Sequence, residues 1–390
     1  MKNFILLSFI HFFFLPFITA QQSNKIDNCT EGITLNANYS KAAALQAIMD
    51  KYTAKDLPGL SMAVYTEAEG WWAGASGFAK KETKTSMNIC HLQYLQSVSK
   101  TYMAVLIMKL HEEGKIKFDE PITRYLPVKY SRSIKNANKI TVRMLLNHTS
   151  GIAEYINDPE YTGATMLNPY TVLKIDDFVA SLSDEEEQFP PGSQYRYTNT
   201  NYMLLALIGD AITGNHATYM RQKMFQPLQL NNSFYRSDKG YLKYPALTDS
   251  YWDLLNVGRP ANISPLQKSN VASMIGDDGI VSTPIDAVKF FKGLMEGKLV
   301  KDSSLAVMKQ WVNRDNGTPA YGMGLIYFDI EGIVAYGHGG GGIGAGCLLL
   351  YIPVNKLYVF LALNSGTVFD GLTSQKADAM RNEILKALLM

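Results

Sequence analysis

Cysteine is scarce. The chain of 390 residues has three, Cys29, Cys90 and Cys347. That is too few for a disulfide-built scaffold, so an apolar core has to carry the fold. Net charge is nearly absent as well, with 37 Lys+Arg against 35 Asp+Glu, a formal +2. Interspersed signs leave no basic face for nucleic acid. Disorder is excluded too, because 47% of the residues are hydrophobic and only 18% charged. Metal-ligand spacing is missing: His91, His111, His148, His216 and His338 are scattered, and His111-Glu112-Glu113 lacks the second histidine of a zinc helix. No Gly-x-Ser-x-Gly elbow occurs, which closes the α/β-hydrolase route. Beyond the N-terminus no uninterrupted apolar run reaches membrane-spanning length.

The N-terminus itself is apolar. Lys2 precedes a run from Phe4 to Ile18 that ends at Thr19-Ala20-Gln21. A basic start, a short apolar stretch and a small residue at the end predict that residues 1–20 are a signal peptide cut near Ala20, with an uncleaved anchor as the alternative. The expectation is an extracytoplasmic protein, periplasmic or secreted, without a membrane span once the leader is gone. An oxidising compartment permits one disulfide among the three cysteines, and spacing does not say which pair forms.

Helix and strand patterns sort into three stretches. Residues 40–52 are helical in pattern with Ser40 as a candidate N-cap, and 60–66 and 70–77 form a strand hairpin. A helical pattern runs from Ser97 to Glu113 and stops at Gly114. The middle of the chain is helix and loop, as in 141–146, 202–213 and 284–295. Strand patterns return at 322–329, 332–337, 345–352 and 357–363, followed by an amphipathic helix over 370–389. The fold class is therefore α+β: an antiparallel sheet built from both chain ends, covered by the terminal helices, with a mostly helical subdomain inserted. The sheet part spans about 40–96 and 316–390, and the helical part about 97–315.

Three short motifs carry chemistry. Ser97-Val98-Ser99-Lys100 occurs once as Ser-x-x-Lys. At a helix start the two positions share a face, which sets the lysine amine beside the serine hydroxyl. A serine is a poor nucleophile until a base removes its proton. Burial and the positive helix end are expected to disfavour charge on Lys100. The second motif is Tyr197-Thr198-Asn199: a phenol can relay a proton, and a carboxamide can hold the lysine and a substrate carbonyl. The third is His338-Gly339-Gly340, opening the glycine run 339–342. Glycines at a sheet edge let a substrate backbone approach. Gly339-x-Gly341-x-x-Gly344 also matches a dinucleotide fingerprint, but a strand pattern follows it instead of a helix, and no βαβ unit surrounds it.

In order, spacing and flanks the three motifs resemble the serine β-lactamase and penicillin-binding-protein superfamily, most closely its class C and DD-peptidase/esterase branch. The resemblance covers about residues 40–385 and extends to three further phrases, Thr141–Gly151, Gly279–Pro284 and Tyr321–Gly324. It implies an acyl-enzyme mechanism in a serine hydrolase that needs no cofactor. Ser97 is then the nucleophile, Lys100 and Tyr197 share acid and base work, and Asn199 holds Lys100 and the substrate. His338, Gly340 and Gly341 line the substrate-binding edge, with the Ser97 and Gly341 N–H groups as oxyanion hole. His148 is a loop-fixing residue in this reading. The class C Lys-Thr-Gly is absent, and His338-Gly339-Gly340 stands in its place. That departure favours a small ester or a D-amino-acid-containing peptide as partner over a β-lactam. A true β-lactamase or DD-carboxypeptidase is the first alternative, and a catalytically inactive scaffold relative the second. The segment 153–175, with Tyr155, Tyr161 and Tyr170, is the expected variable rim. The oligomeric state stays open.

Overall fold

The computed structural model describes residues 28–236 and 238–390. The expected leader and its cut after Ala20 lie outside the described residues. Helix α1 (Ala42–Thr53) leads into a hairpin of β1 (Gly59–Thr66) and β2 (Gly70–Lys80), edged by the short β3 (Thr85–Ser86). A mostly helical stretch follows, containing α2 (Ser99–Glu112), α3 (Asn199–Thr213) and α4 (Pro284–Met295). The chain then returns as β4 (Val312–Asn313), β5 (Pro319–Tyr321), β6 (Ile326–Ile330), β7 (Ile333–Gly341), β8 (Gly346–Ile352) and β9 (Leu357–Leu363), and closes with α5 (Leu372–Leu389). Among the described residues these strands form one antiparallel sheet in the order β3-β2-β1-β9-β8-β7-β6-β5-β4. The two chain ends meet where β1 pairs with β9, with Met62 opposite Leu361.

The alternation of side chains explains the layers. Leu60, Met62 and Val64 of β1 and Val359 and Leu361 of β9 pack against Leu45 and Met49 of α1 and Met380 and Ile384 of α5. On the opposite face Ala63, Leu349 and Phe360 meet Phe290 and Phe291 of α4 and the apolar side of α2. Because β9 is buried on both faces, its sequence is an unbroken apolar run, Leu-Tyr-Val-Phe-Leu-Ala-Leu. The antiparallel sheet, the terminal helices and the helical insert all match the expected architecture. The insert contributes more than a separate layer, since α4 lies directly on β1, β8 and β9.

Two local expectations change. Ser40 does not cap α1. Its hydroxyl donates to Glu69 Oε1 at 2.8 Å and its N–H to Glu69 Oε2 at 2.7 Å, so the hairpin tip takes the serine from the helix. The strand expected over 322–329 is broken at Gly322–Leu325, where Gly324 has φ +76°. A Cβ there would lie 2.3 Å from Ala104 Cβ, so only glycine lets this turn press on α2. Among the described residues no helix is long and apolar enough to cross a membrane.

The structure resolves the cysteines. Cys29 and Cys90 are disulfide-bonded with Cα atoms 5.4 Å apart, and Cys347 is free and buried. The bridge closes a loop of 61 residues. Loop-closure entropy for that length stabilises by about 4 kcal/mol. Replacing both residues with alanine is expected to lower the denaturant midpoint and, because the unfolded chain can expand, to raise the m-value. An unchanged midpoint would show that the bridge adds nothing to stability.

Candidate active site

The site is built where α2 meets β7. Ser97 sits in a 3₁₀ turn, Gln96–Val98, that runs straight into α2. Gln96 holds φ +47°, a left-handed backbone that a side chain rarely adopts, immediately before the candidate nucleophile. Ser97 is half-buried, and Lys100 is 0% exposed. Lys100 Nζ donates to Ser97 Oγ at 3.0 Å, to Asn199 Oδ1 at 2.6 Å and to the Asp277 carbonyl at 3.0 Å. Three acceptors match the three protons of an ammonium group. One residue further along α2, Thr101 Oγ1 donates to the Gly324 carbonyl at 2.7 Å, tying the helix start to the β5–β6 turn.

Asn199 is the first residue of α3. Glu154 fixes it twice, because Oε2 accepts from the Asn199 N–H at 2.7 Å and from Nδ2 at 3.0 Å. The amide is thereby turned with its oxygen toward Lys100. Tyr197 precedes the helix in extended chain, its ring centroid 5.0 Å from Lys100 Nζ. Burial raises its phenol, while Lys100 and Ser97 both favour the phenolate. His148 supports this loop. Its carbonyl accepts from the Arg196 N–H at 3.0 Å, its Nδ1 from the Thr198 N–H at 3.3 Å, and its ring lies 4.3 Å from that of Tyr197. Burial, and secondarily Lys100, push the His148 imidazole well below its ordinary range, so it stays neutral and able to accept.

The charges around Lys100 reverse the expectation of a neutral amine. Burial does oppose its charge, but Tyr197, Asp277 and Asp278 outweigh it and hold the amine above its ordinary range. Burial pushes the Tyr197 phenol up, and Lys100 pulls it only part of the way back. Asp278 is driven up to about 7 by burial and by Asp277 beside it. Tyr155 donates from its hydroxyl to Asp277 Oδ2 at 2.8 Å.

The glycine run is not a loop between strands: Gly339, Gly340 and Gly341 belong to β7 itself. A Cβ at Gly340 would lie 2.7 Å from the Leu95 carbonyl and 2.6 Å from Cys347 Sγ, so glycine allows β7 to close on the turn that carries Ser97. Gly342 N–H donates to the Ala345 carbonyl at 3.0 Å, and Gly341 pairs with Gly346. The alternation of an antiparallel ladder then turns the Gly341 N–H away from β8. On its other side β6 pairs with β7 only as far as Gly337, so the Gly341 N–H faces the open edge.

His338 is placed differently from a ligand-facing residue. It is 1% exposed, with Nδ1 2.6 Å from the Gly339 carbonyl and Nε2 2.9 Å from the Tyr321 hydroxyl. A carbonyl only accepts, so Nδ1 carries the proton and Nε2 accepts from Tyr321. Burial, then Lys100, lower the imidazole to about 3. His338 therefore offers no free ring nitrogen and no charge to a substrate at neutral pH. An imidazole ¹H–¹⁵N spectrum is expected to show one neutral Nδ1–H tautomer throughout pH 5 to 9. A titration step in that range would contradict the assignment.

Glu154, Asp277 and Tyr321 complete the constellation and carry no motif of their own. The signal for Asp277 is its place two residues before the family-like phrase Gly279–Pro284, and for Tyr321 its place at the start of Tyr321–Gly324. In the expected rim, Tyr155 is buried, while Tyr170 is 75% exposed. The side chain of Tyr161 lies outside the described residues. Among the described residues no cluster of three His, Cys, Asp or Glu is placed to hold a metal ion.

Fold and site together define a serine hydrolase of the β-lactamase and penicillin-binding-protein type. A family profile, Beta-lactamase, matches residues 43–379, and the chain belongs to that family. Penicillin-binding protein 4 of Amycolatopsis lactamdurans is 25% identical over 328 residues, covering 80% of this chain and 82% of that protein. Teichoic acid D-alanine hydrolase of Staphylococcus aureus is 24% identical over 254 residues, 64% of this chain and 58% of its own length. The crystal structure of D-amino acid amidase from Ochrobactrum anthropi SV3 superposes with a TM-score of 0.78 at 22% identity, over 90% of this chain and 99% of that one.

Proposed function

We propose that the protein is an exported serine hydrolase that cleaves an ester or amide through an acyl-Ser97 intermediate, acting on a small ester or a D-amino-acid-containing substrate. The observation that carries this reading is the Lys100 ammonium, which bonds Ser97 Oγ and Asn199 Oδ1 together at 3.0 and 2.6 Å. The names of the relatives, a D-alanine hydrolase and a D-amino acid amidase, support the D-amino-acid class. Export rests on the leader-like residues 1–20 and agrees with the disulfide.

The steps follow from the groups present. Ser97 Oγ bonds the carbonyl carbon as its proton passes to the Tyr197 phenolate, the form that Lys100 stabilises. The Ser97 and Gly341 N–H groups take the oxyanion. Tyr197 returns the proton to the departing alcohol or amine, and the carbon–heteroatom bond breaks. Water then attacks the acyl-serine by the same relay in reverse and releases the acid. With His338 neutral in place of a lysine, the third motif supplies no cation for a substrate carboxylate, which favours neutral substrates over β-lactams.

A panel of p-nitrophenyl acetate, a D-amino-acid amide, a D-Ala-D-Ala peptide and a chromogenic cephalosporin tests the reading. Turnover of the ester and the D-amide above the cephalosporin is expected. No turnover of any of them would favour an inactive scaffold, and a dominant cephalosporin would favour a true β-lactamase.

A further inference from the structure

One group of exposed apolar side chains lies on two loops that meet at Trp252 and Phe369. Trp252 and Phe369 stack with ring centroids 5.4 Å apart and planes at 21°. Leu254 and Leu255, 57% and 79% exposed, stand on the Trp252 side; Val368 and Leu372, 49% and 44% exposed, stand on the Phe369 side. Trp252, Leu254, Phe369 and Leu372 line a cleft of about 300 Å³. The two loops that present them are pinned. Asp253 accepts from the N–H groups of Val257 and Gly258 at 2.9 and 2.8 Å, and Asn256 Oδ1 accepts from the Leu372 N–H at 2.7 Å. A chain segment held in this way exposes its leucines by construction, and a contiguous apolar patch of this kind marks a binding surface.

Its position gives the occupant. Thr367 N–H donates to the Gly342 carbonyl at 3.0 Å. A Cβ at Gly341 would lie 3.5 Å from Thr367 Oγ1 and 3.9 Å from Val368 Cα. A Cβ at Gly366 would lie 3.2 Å from Trp252 Cδ1. The cleft residues Gly366 and Phe369 thus flank Thr367 and Val368, which approach the Gly341 end of β7, the oxyanion site of the proposed reaction. Asp253 and Asp370 are among its lining residues and no Lys or Arg is, which disfavours an anionic occupant.

We propose that this cleft is a substrate subsite that takes an uncharged aromatic or aliphatic group attached close to the scissile carbonyl. The proposal rests on the reading of Ser97 as the nucleophile and names the substrate class that site prefers.

Two ester series test it, p-nitrophenyl acyl esters from acetate to hexanoate and alkyl acetates from methyl to hexyl. A fully buried methylene is worth about fourfold, so in one of the series kcat/KM is expected to rise at least about tenfold from the shortest to the longest member. In a Leu254→Ser, Phe369→Ser double variant that ratio is expected to fall toward one. Both side chains are largely exposed, so the variant should keep its fold, which circular dichroism checks. Flat series in the wild type, or the same ratio in the variant, overturn the subsite even if acetate is hydrolysed. Binding is read separately in Ser97→Ala, titrated with methyl 4-phenylbutyrate. A saturable change in tryptophan emission, absent after Trp252→Phe, supports the subsite whether or not Ser97 is the nucleophile; no change overturns it. Flat ester series together with vesicle binding lost in the double variant would assign the patch to a lipid surface and also overturn it. Loss of turnover on every ester, acetate included, would instead count against the Ser97 reading.

Discussion

Ser97→Ala is expected to reduce turnover by on the order of 10⁴–10⁶-fold while the protein stays folded. The side chain is half-buried and its hydroxyl is one of three acceptors for Lys100, so its loss removes one hydrogen bond and opens little space. Two acceptors, Asn199 Oδ1 and the Asp277 carbonyl, remain to hold the lysine. The check is kcat/KM on the best ester, beside thermal melts of both proteins. Activity within a few-fold of wild type would move the nucleophile elsewhere. Ser99 is the nearest alternative by sequence, but it is 2% exposed and its Oγ accepts from the Ile280 N–H at 3.3 Å, which leaves it poorly placed to attack.

Lys100→Ala should cost at least about 10³-fold, and chiefly in kcat, because the ammonium works on charge that moves in the transition state. The same residue sets the pH profile. Lys100 and Tyr197 both lie above their ordinary values, the first because Tyr197 and the buried aspartates outweigh desolvation, the second because desolvation outweighs Lys100. The pair therefore keeps its full complement of protons at neutral pH, and the form able to accept the Ser97 proton has one fewer. It follows that kcat/KM should climb with pH along a limb that belongs to the pair and lies on the alkaline side of neutrality. Removing Lys100 takes away the cation that lowers Tyr197, so the limb should move further alkaline in Lys100→Ala and disappear in Tyr197→Phe. Profiles between pH 5.5 and 10 decide this. An unshifted limb in Lys100→Ala would show that the two groups do not share the titration. A mutant with unchanged kcat and a raised KM would demote the residue to positioning.

Much of the fold was legible because burial on two faces writes itself into sequence as unbroken apolar strands, as in 357–363. The four polar residues that meet at the site, Ser97, Lys100, Tyr197 and Asn199, were also readable, because each lies at a helix start that its neighbours mark. What failed to show were contacts over distance. Ser40 looks like a helix cap until Glu69 from the hairpin tip takes its hydroxyl. Glu154 lies 45 residues from Asn199, and nothing local to it signals that its carboxylate orients that amide. The charge on Lys100 was misjudged for the same reason. Its desolvation is foreseeable from burial, but Asp277 and Asp278, which outweigh it together with Tyr197, arrive on a distant loop. His338 reads in sequence as lining the substrate-binding edge, yet its partner Tyr321, which fills Nε2, comes from β5 and leaves the imidazole facing protein. The cysteine pairing needed the structure outright, since any of three pairs was compatible with the spacing.

The central claim is that Ser97 is an activated nucleophile. The most direct measurement is reaction of the folded, disulfide-intact protein with a fluorophosphonate probe, followed by peptide mapping of the adduct. Stoichiometric labelling on Ser97, slowed in Lys100→Ala and in Tyr197→Phe, is the predicted result. Labelling on a different serine, or none in protein shown to be folded, would contradict it.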